Sequence, residues 1–187
     1  MKKYLVIGNP IEHSLSPEIH NYWLKKNKID AIYEKKKLNG DDIVELFDEI
    51  RNDKVSGINV TVPFKKDVIP FLDDLSKEAK ITQSVNTILF KNNKITGYNT
   101  DIIGFQTSLK DTEFNLKNKK VLILGSGGVV PSIIYALEKF GVSQITISNR
   151  TKSKAIELKK IFSNLKIVEW GIAPEFDMII NATSLGL

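Results

Sequence analysis

Asn59, Thr61 and Lys65 lie in the stretch GINVTVPFK, residues 57–65, at a spacing that lets them act together. Read as a strand with alternating side chains, Ile58, Val60 and Val62 take one face and Asn59 and Thr61 the other, before Pro63 ends the ladder ahead of Lys65. An asparagine offers donors and an acceptor, a threonine hydroxyl does either, and a lysine gives or takes a proton. The three suit a small polyhydroxylated ligand. The competing account is a half-buried strand with a wet face and a solvated lysine, and the rest of the chain has to decide between them.

Further polar groups stand where elements begin or end. GNPIEHSLSP, residues 8–17, is a polar loop in which Ser16 precedes Pro17, the order of a helix cap followed by a proline in the first turn. Ser14 has no such structural duty, and both hydroxyls can point from one loop to a ligand. Asn86 and Thr87 open one strand of a hairpin, and Asn99, Thr100 and Asp101 close the other. Thr100 or Asp101 also fits as the cap of a helix that follows.

The elements that must position these groups alternate. Strands over 4–7, 31–37 and 57–62 are separated by helices over 18–28 and 41–52; in the second helix Ile43, Leu46, Phe47 and Ile50 recur on one face. Such βαβ units imply a mostly parallel sheet covered on both faces, with ligands bound at the carboxyl ends of its strands. Residues 64–75 read as a helix, with Lys65 in its first turn, where the helix dipole and Lys66 disfavour a cation. Strands over 85–90 and 94–98 form the hairpin, turning at Asn92 and Asn93, and a helix over 102–109 follows.

After the polar link of residues 114–120, an apolar strand over 120–124 runs into GSGG, residues 125–128, and a helix over 129–140. Strand, glycine turn and helix form the context of a dinucleotide site: Gly125 permits the tight turn, Gly127 lets backbone approach a pyrophosphate, and the helix amino end attracts its charge. Val130 stands where the fingerprint has Gly or Ala, and Pro131 is tolerated in the first turn. The next strand, 144–148, ends in NRTKSK. An acidic residue there would hold the ribose hydroxyl of NAD; Arg150, with Thr151 and Lys154, instead suits the 2′-phosphate of NADP. Strands over 166–169 and 177–181 follow, so four strands of a six-stranded nucleotide sheet are present. The expected class is α/β: an N-terminal, mostly parallel substrate domain over residues 1–112 and a partial NADP-binding Rossmann domain over 113–187.

Composition narrows the classes further. The chain has 187 residues, 42% hydrophobic and 26% charged, and 27 Lys and Arg against 22 Asp and Glu. The lysines are scattered and lack interleaved aromatics, which argues against nucleic acid and fits attraction of an anionic metabolite or cofactor. Without cysteine there is no disulfide framework or thiol catalyst, and His13 and His20 have no third ligand near them, so no metal site is expected. No stretch approaches the ~18 apolar residues of a membrane span, and a cytoplasmic protein, monomer or homodimer, is the expectation.

GNPIEHSLSP, GINVTVPFK, SVNT, GYNTD, LGSGG, NRT and NATSLG, in this order, together resemble the shikimate dehydrogenase family. The resemblance implies NADP-dependent, reversible reduction of 3-dehydroshikimate to shikimate in aromatic amino-acid biosynthesis. It implies that Ser14 and Ser16 hold the substrate carboxylate, that Asn59, Thr61 and Asn86 bind substrate with Asp101, and that Lys65 and Asp101 are the catalytic acid and base. Gly125, Ser126, Gly127, Gly128 and Val129 would cradle the pyrophosphate. Asn149, Arg150 and Thr151 would grip the 2′-phosphate, and Thr183 and Ser184 would lie towards the nicotinamide. Gln83 and Ser84 replace the family's Gly-Ala before Val-Asn-Thr. The family's greater length implies a chain incomplete at its C-terminus. A quinate or aminoshikimate dehydrogenase, or a truncated ligand-binding paralogue without catalysis, is the alternative.

Overall fold

Strand β1 (Lys2–Gly8) is the spine of the N-terminal sheet, pairing in parallel with β2 (Ala31–Lys37) on one side and β3 (Gly57–Val60) on the other. The computed structural model describes residues 1–185, in two compact units, Met1–Asn99 and Thr100–Leu187. In the first unit β5 (Thr87–Lys91) joins β3 antiparallel, β6 (Lys94–Tyr98) joins β5, and β4 (Asp74–Leu75) closes the far edge beside β6. The hairpin turns through Asn92 and Asn93 at φ 52° and 59°, as their tolerance of left-handed backbone leads one to expect.

Alternation along β1 sends Leu5 and Ile7 into the larger core and Val6 to the opposite face. Helix α2 (Asp42–Arg51) buries Ile43, Leu46, Phe47 and Ile50 in that larger core, the face its spacing marked out. Each such aliphatic contributes roughly 1.5–3 kcal/mol by leaving water. Helix α1 (Ser16–Lys26) lies on the other face, with Leu24 against Val6, Ile11 and Tyr33. Asn21 fixes the helix to the edge strand by donating to the Tyr33 carbonyl at 2.8 Å and accepting the Tyr33 N–H at 2.9 Å.

Three expectations need correction. Residues 64–75 are not one helix: turns lead to a short 3₁₀ segment, Ile69–Phe71, and then to β4. Pro70 is a physical reason, because it lacks the N–H that an α-helix over 64–75 would need at its middle, and it is accommodated instead in the first turn of the short 3₁₀ segment. Lys65 therefore stands in a turn and in no helix whose dipole could act on it. The central strand is also shorter than 57–62. It ends at Val60, the Val62–Pro63 peptide is cis, and Val62 is 57% exposed rather than aligned with Ile58 and Val60. Third, Ser16 is the first residue of α1 and not its cap; Leu15 holds the cap position without a side-chain bond, while Ser14 Oγ accepts the Ser16 N–H at 3.3 Å.

Helix α3 (Lys77–Thr82) was not anticipated. Ser76 caps it, its hydroxyl accepting from Ala79 N at 3.2 Å, and Gln83 ends it in the left-handed region at φ 48°. That is the conformation a glycine adopts without strain, at the position where the family resemblance has glycine.

In the second unit β7 (Lys120–Leu124), β8 (Gln144–Ser148), β9 (Lys166–Val168) and β10 (Met178–Asn181) form a parallel sheet in the order β10-β7-β8-β9. Helices α5 (Val130–Lys139) and α6 (Lys152–Ile161) make the crossovers. Val121, Ile123, Val130, Ile134, Leu137 and Ile147 are among its buried core. Helix α4 (Asp101–Asp111) packs against α5, and its Leu109 is buried in this second core, so the helix belongs to the second compact unit. Among the described residues no helix is long and apolar enough to cross a membrane, and no cluster of His, Asp and Glu has metal-binding geometry.

Candidate active site

Three segments meet at the carboxyl end of β1 and β3. The Thr61 N–H donates to Ile7 O at 2.9 Å and the Asn9 N–H to Val62 O at 3.0 Å, so the loop bearing Ser14 and Ser16 leaves β1 beside Thr61. The contact is close: a Cβ added to Gly8 would lie 2.6 Å from Thr61 Cγ2. The Val60 N–H donates to Asn86 O at 2.8 Å and the Val85 N–H to Lys65 O at 2.8 Å, joining the start of the hairpin to both ends of the strand motif. Ser14, Ser16, Asn59, Thr61, Lys65 and Asn86 are all half-buried, the exposure of side chains that line a recess. Asp101, at the first turn of α4, belongs to the second unit.

Behind Asn86 the amide of Asn99, 4% exposed, donates to Thr82 Oγ1 at 3.1 Å and to Ser84 O at 3.0 Å. This strut ties the end of β6 to the residues leading into Asn86.

Glu12 holds the serine loop from its outer side. Its carboxylate pairs with Lys37 at 3.0 Å and accepts the Ile11 N–H at 2.9 Å. Its own backbone N–H, then Lys37, then the Ile11 N–H hold the carboxyl at about 2, well below its ordinary value near 4.5. A carboxyl depressed by folding adds stability that is present above pH 4.5 and disappears as pH falls towards 2. The loop is therefore expected to loosen only in that acid window. Titration of the Glu12 carboxyl by NMR checks this, and a midpoint at the ordinary value would remove the proposed tether.

The second unit builds a separate cleft of about 280 Å³, lined by Gly125, Ser126 and Gly127 at the end of β7, by Asn149, Arg150, Thr151 and Lys154 past β8, and by Thr183 and Ser184 past β10. Gly125 has φ +107°, and a Cβ there would sit 2.7 Å from the Ala182 carbonyl oxygen; both facts require glycine. At Gly127 an added Cβ would find only Ala182 O, at 4.0 Å, so the turn leaves open space on the cleft side. Gly128 and Val129 are not among the lining residues; Val129 holds the cap position of α5. Asn149 shapes the basic segment by donating from Nδ2 to Thr151 O at 2.7 Å.

Ser126 Oγ is buried and has no hydrogen-bond partner within the protein. A buried hydroxyl of this kind calls for an acceptor from outside the protein, an ordered water or a bound group. Beside a helix amino end and two cations, that acceptor fits a phosphate oxygen. The donor set thus fits NADP: the glycine turn and Ser126 for the pyrophosphate, Arg150, Thr151 and Lys154 for the 2′-phosphate.

Trp170 also lines the cleft and was missed. Its register explains its place: Ser148 of β8 pairs with Val168 of β9, so Arg150 and Trp170 each lie two residues beyond that pair. Ser148 Oγ also donates to Glu169 O at 3.1 Å, which holds the neighbouring strand exits together. The indole is 44% exposed. A tryptophan placed just after a predicted strand was the available signal.

A parallel sheet whose first strand enters a glycine turn, with an arginine rather than an acid past the second, defines a nucleotide-binding oxidoreductase unit of the NADP type. Residues 6–88 match the family model described as shikimate dehydrogenase substrate binding domain, and residues 108–185 the one described as shikimate / quinate 5-dehydrogenase. The chain is 62% identical over 186 residues to the shikimate dehydrogenase (NADP(+)) of Pelagibacter ubique, covering 100% of this chain and 70% of that protein. It is similar to the crystal structure of shikimate dehydrogenase from Aquifex aeolicus, with a TM-score of 0.90 and 42% identity, covering 100% of this chain and 70% of that one. It is similar also to the Thermus thermophilus shikimate 5-dehydrogenase in complex with NADP(H) and shikimate, with a TM-score of 0.86, 33% identity, and 98% and 69% of the two chains covered. The chain belongs to the shikimate dehydrogenase family.

Proposed function

We propose that the protein interconverts 3-dehydroshikimate and shikimate with NADP, and that its substrate site is built on Ser14, Ser16, Asn59, Thr61, Lys65 and Asn86, with Asp101. The observation that carries the site is the gathering of these half-buried polar groups of the first unit at the carboxyl end of β1 and β3. When bound, NADPH supplies the hydride that becomes the new C–H bond at the ring ketone.

The chain's own groups handle the rest. Ser14 and Ser16 donate from one loop to the substrate carboxylate, and Thr61 and Asn86 meet ring hydroxyls. Lys65 Nζ delivers a proton to the ketone oxygen as negative charge develops there, and takes it back in the oxidative direction. Asp101 is the carboxylate counterpart in this acid–base role. In the second unit Arg150, Thr151 and Lys154 hold the 2′-phosphate, Ser126 and the glycine turn the pyrophosphate, and Trp170 offers a face to the adenine. Gly128 and Val129 serve by opening α5 behind the turn, and Thr183 and Ser184 border the cofactor's reactive end.

A steady-state assay of NADPH formation from shikimate tests the reading. Turnover with NADP and little with NAD is expected. Absence of turnover in purified, folded protein, or faster turnover of quinate, whose additional ring hydroxyl needs its own partner, would replace it.

A further inference from the structure

Tyr33 lies on the edge strand β2, its ring in a groove of about 310 Å³ beneath α1 that Tyr4, His20, Trp23 and Leu24 also line. The ring stacks on His20 at 4.2 Å between centroids, with 13° between planes. Burial pushes the phenol up to about 12, so its proton stays on the oxygen throughout the physiological range. That hydroxyl is 2.7 Å from Asn59 Oδ1, to which it donates.

The bond begins a directed series. With Oδ1 accepting from Tyr33, the Asn59 amide turns its Nδ2 to the hairpin, where it donates to Thr87 Oγ1 at 3.2 Å and to the Asn86 carbonyl at 3.4 Å. Asn59 and Thr87 are direct partners in the β3–β5 register, so the spacing is imposed by the sheet. The Thr87 hydroxyl, which accepts from Asn59, donates its one proton onward to Asn86 Oδ1 at 3.0 Å. An asparagine side chain presents oxygen on one side and nitrogen on the other. Turning Oδ1 to Thr87 therefore turns the Asn86 amino group the opposite way.

We propose that Tyr33 is a positioning residue that sets, through Asn59 and Thr87, which end of the Asn86 amide meets the ligand. The inference rests on the assignment of Asn86 to the substrate site. The sense of the series is set from two sides: the Asn86 carbonyl only accepts, which keeps Asn59 Nδ2 towards the hairpin, and the phenol donates to Oδ1 opposite it; the Thr87 hydroxyl and the Asn86 amide can run in either sense. Deleting the phenolic oxygen leaves Asn59 held from the hairpin side only, by bonds of 3.2 and 3.4 Å, so that its amide can turn, Thr87 reverse, and Asn86 present its oxygen where a donor stood. The ring can remain, with its stacking and packing intact. The effect falls on recognition of a substrate oxygen and not on the fold.

Calorimetric titration of purified Tyr33→Phe with shikimate tests this beside wild type, Thr87→Val and the double variant. Loss of one oriented hydrogen bond is expected to weaken shikimate binding about fivefold. KM for shikimate should rise, with KM for NADP and the thermal midpoint unchanged. Because both variants interrupt the same series, the double variant should bind no more weakly than the worse single one. Undiminished binding by Tyr33→Phe, or losses that add in the double variant, would overturn the relay. Asn86→Ala separates the two levels. If it too leaves binding intact, the assignment of Asn86 fails and the relay with it; if it weakens binding while Tyr33→Phe does not, only the relay fails.

Discussion

Replacing Lys65 by alanine is expected to lower kcat by roughly 10²- to 10⁴-fold, the range supplied by one well-placed acid–base group. The side chain is half-buried and the backbone beneath it is fixed independently of the amine: Lys65 O accepts the Val85 N–H at 2.8 Å, and Phe64 and Val68, 4% and 0% exposed, anchor the chain on either side. Truncation is therefore local, and a thermal melt should match wild type. Uniform binding energy lost from the ground and transition states would appear in KM alone, whereas loss of proton transfer appears in kcat. Lys65→Arg sharpens the test, because guanidinium keeps the positive charge and does not release its proton. A rate for Lys65→Arg as low as that of the alanine variant identifies proton transfer as the role. An alanine variant with wild-type kcat would remove Lys65 from the chemistry.

The second large effect concerns the cofactor. Arg150→Ala is expected to raise KM for NADP by roughly 10- to 100-fold, the range of a charge-assisted hydrogen bond to phosphate. KM for NAD, which lacks the 2′-phosphate, should change little. Arg150 stands past the end of β8, on the wall of the cleft with Thr151 and Lys154, and Asn149 braces the segment through the Thr151 carbonyl. The proposed site thus gives the 2′-phosphate a cationic wall and leaves Gly125, Ser126 and Gly127, which line the same cleft, for the part common to both dinucleotides. Parallel losses with NADP and NAD would place Arg150 on the shared pyrophosphate; no loss with either would leave it a solvated side chain.

Local signals carried much of this architecture. Strand β7 is a short apolar run ending at glycine, and β8, QITIS, alternates polar and apolar residues, so both follow from local pattern. The Asn92–Asn93 turn is similarly local. Residues 64–75 misled because apolar residues recur at helical spacing there, and Pro70 outweighs that periodicity. The candidate site was legible in its residue types but not in its wiring. Asn59 and Thr87 are 28 positions apart, and only the β3–β5 register makes them neighbours. Trp170 and Arg150 likewise become adjacent through the pairing of β8 with β9. No periodicity in a single sequence encodes either meeting.

Asn21 has a consequence for how the protein behaves in a crowd. A strand at the margin of a sheet offers a row of unpaired N–H and C=O groups that another molecule can extend. At Tyr33 both outward groups are already engaged by the Asn21 amide, which imitates the neighbour strand that is not there. The opposite margin is β4, only two residues long and too short to template a growing ladder. The N-terminal sheet thus meets obstacles to growth at both borders: at one, a borrowed amide over Tyr33 beside the charged run of residues 34–37, and at the other, brevity.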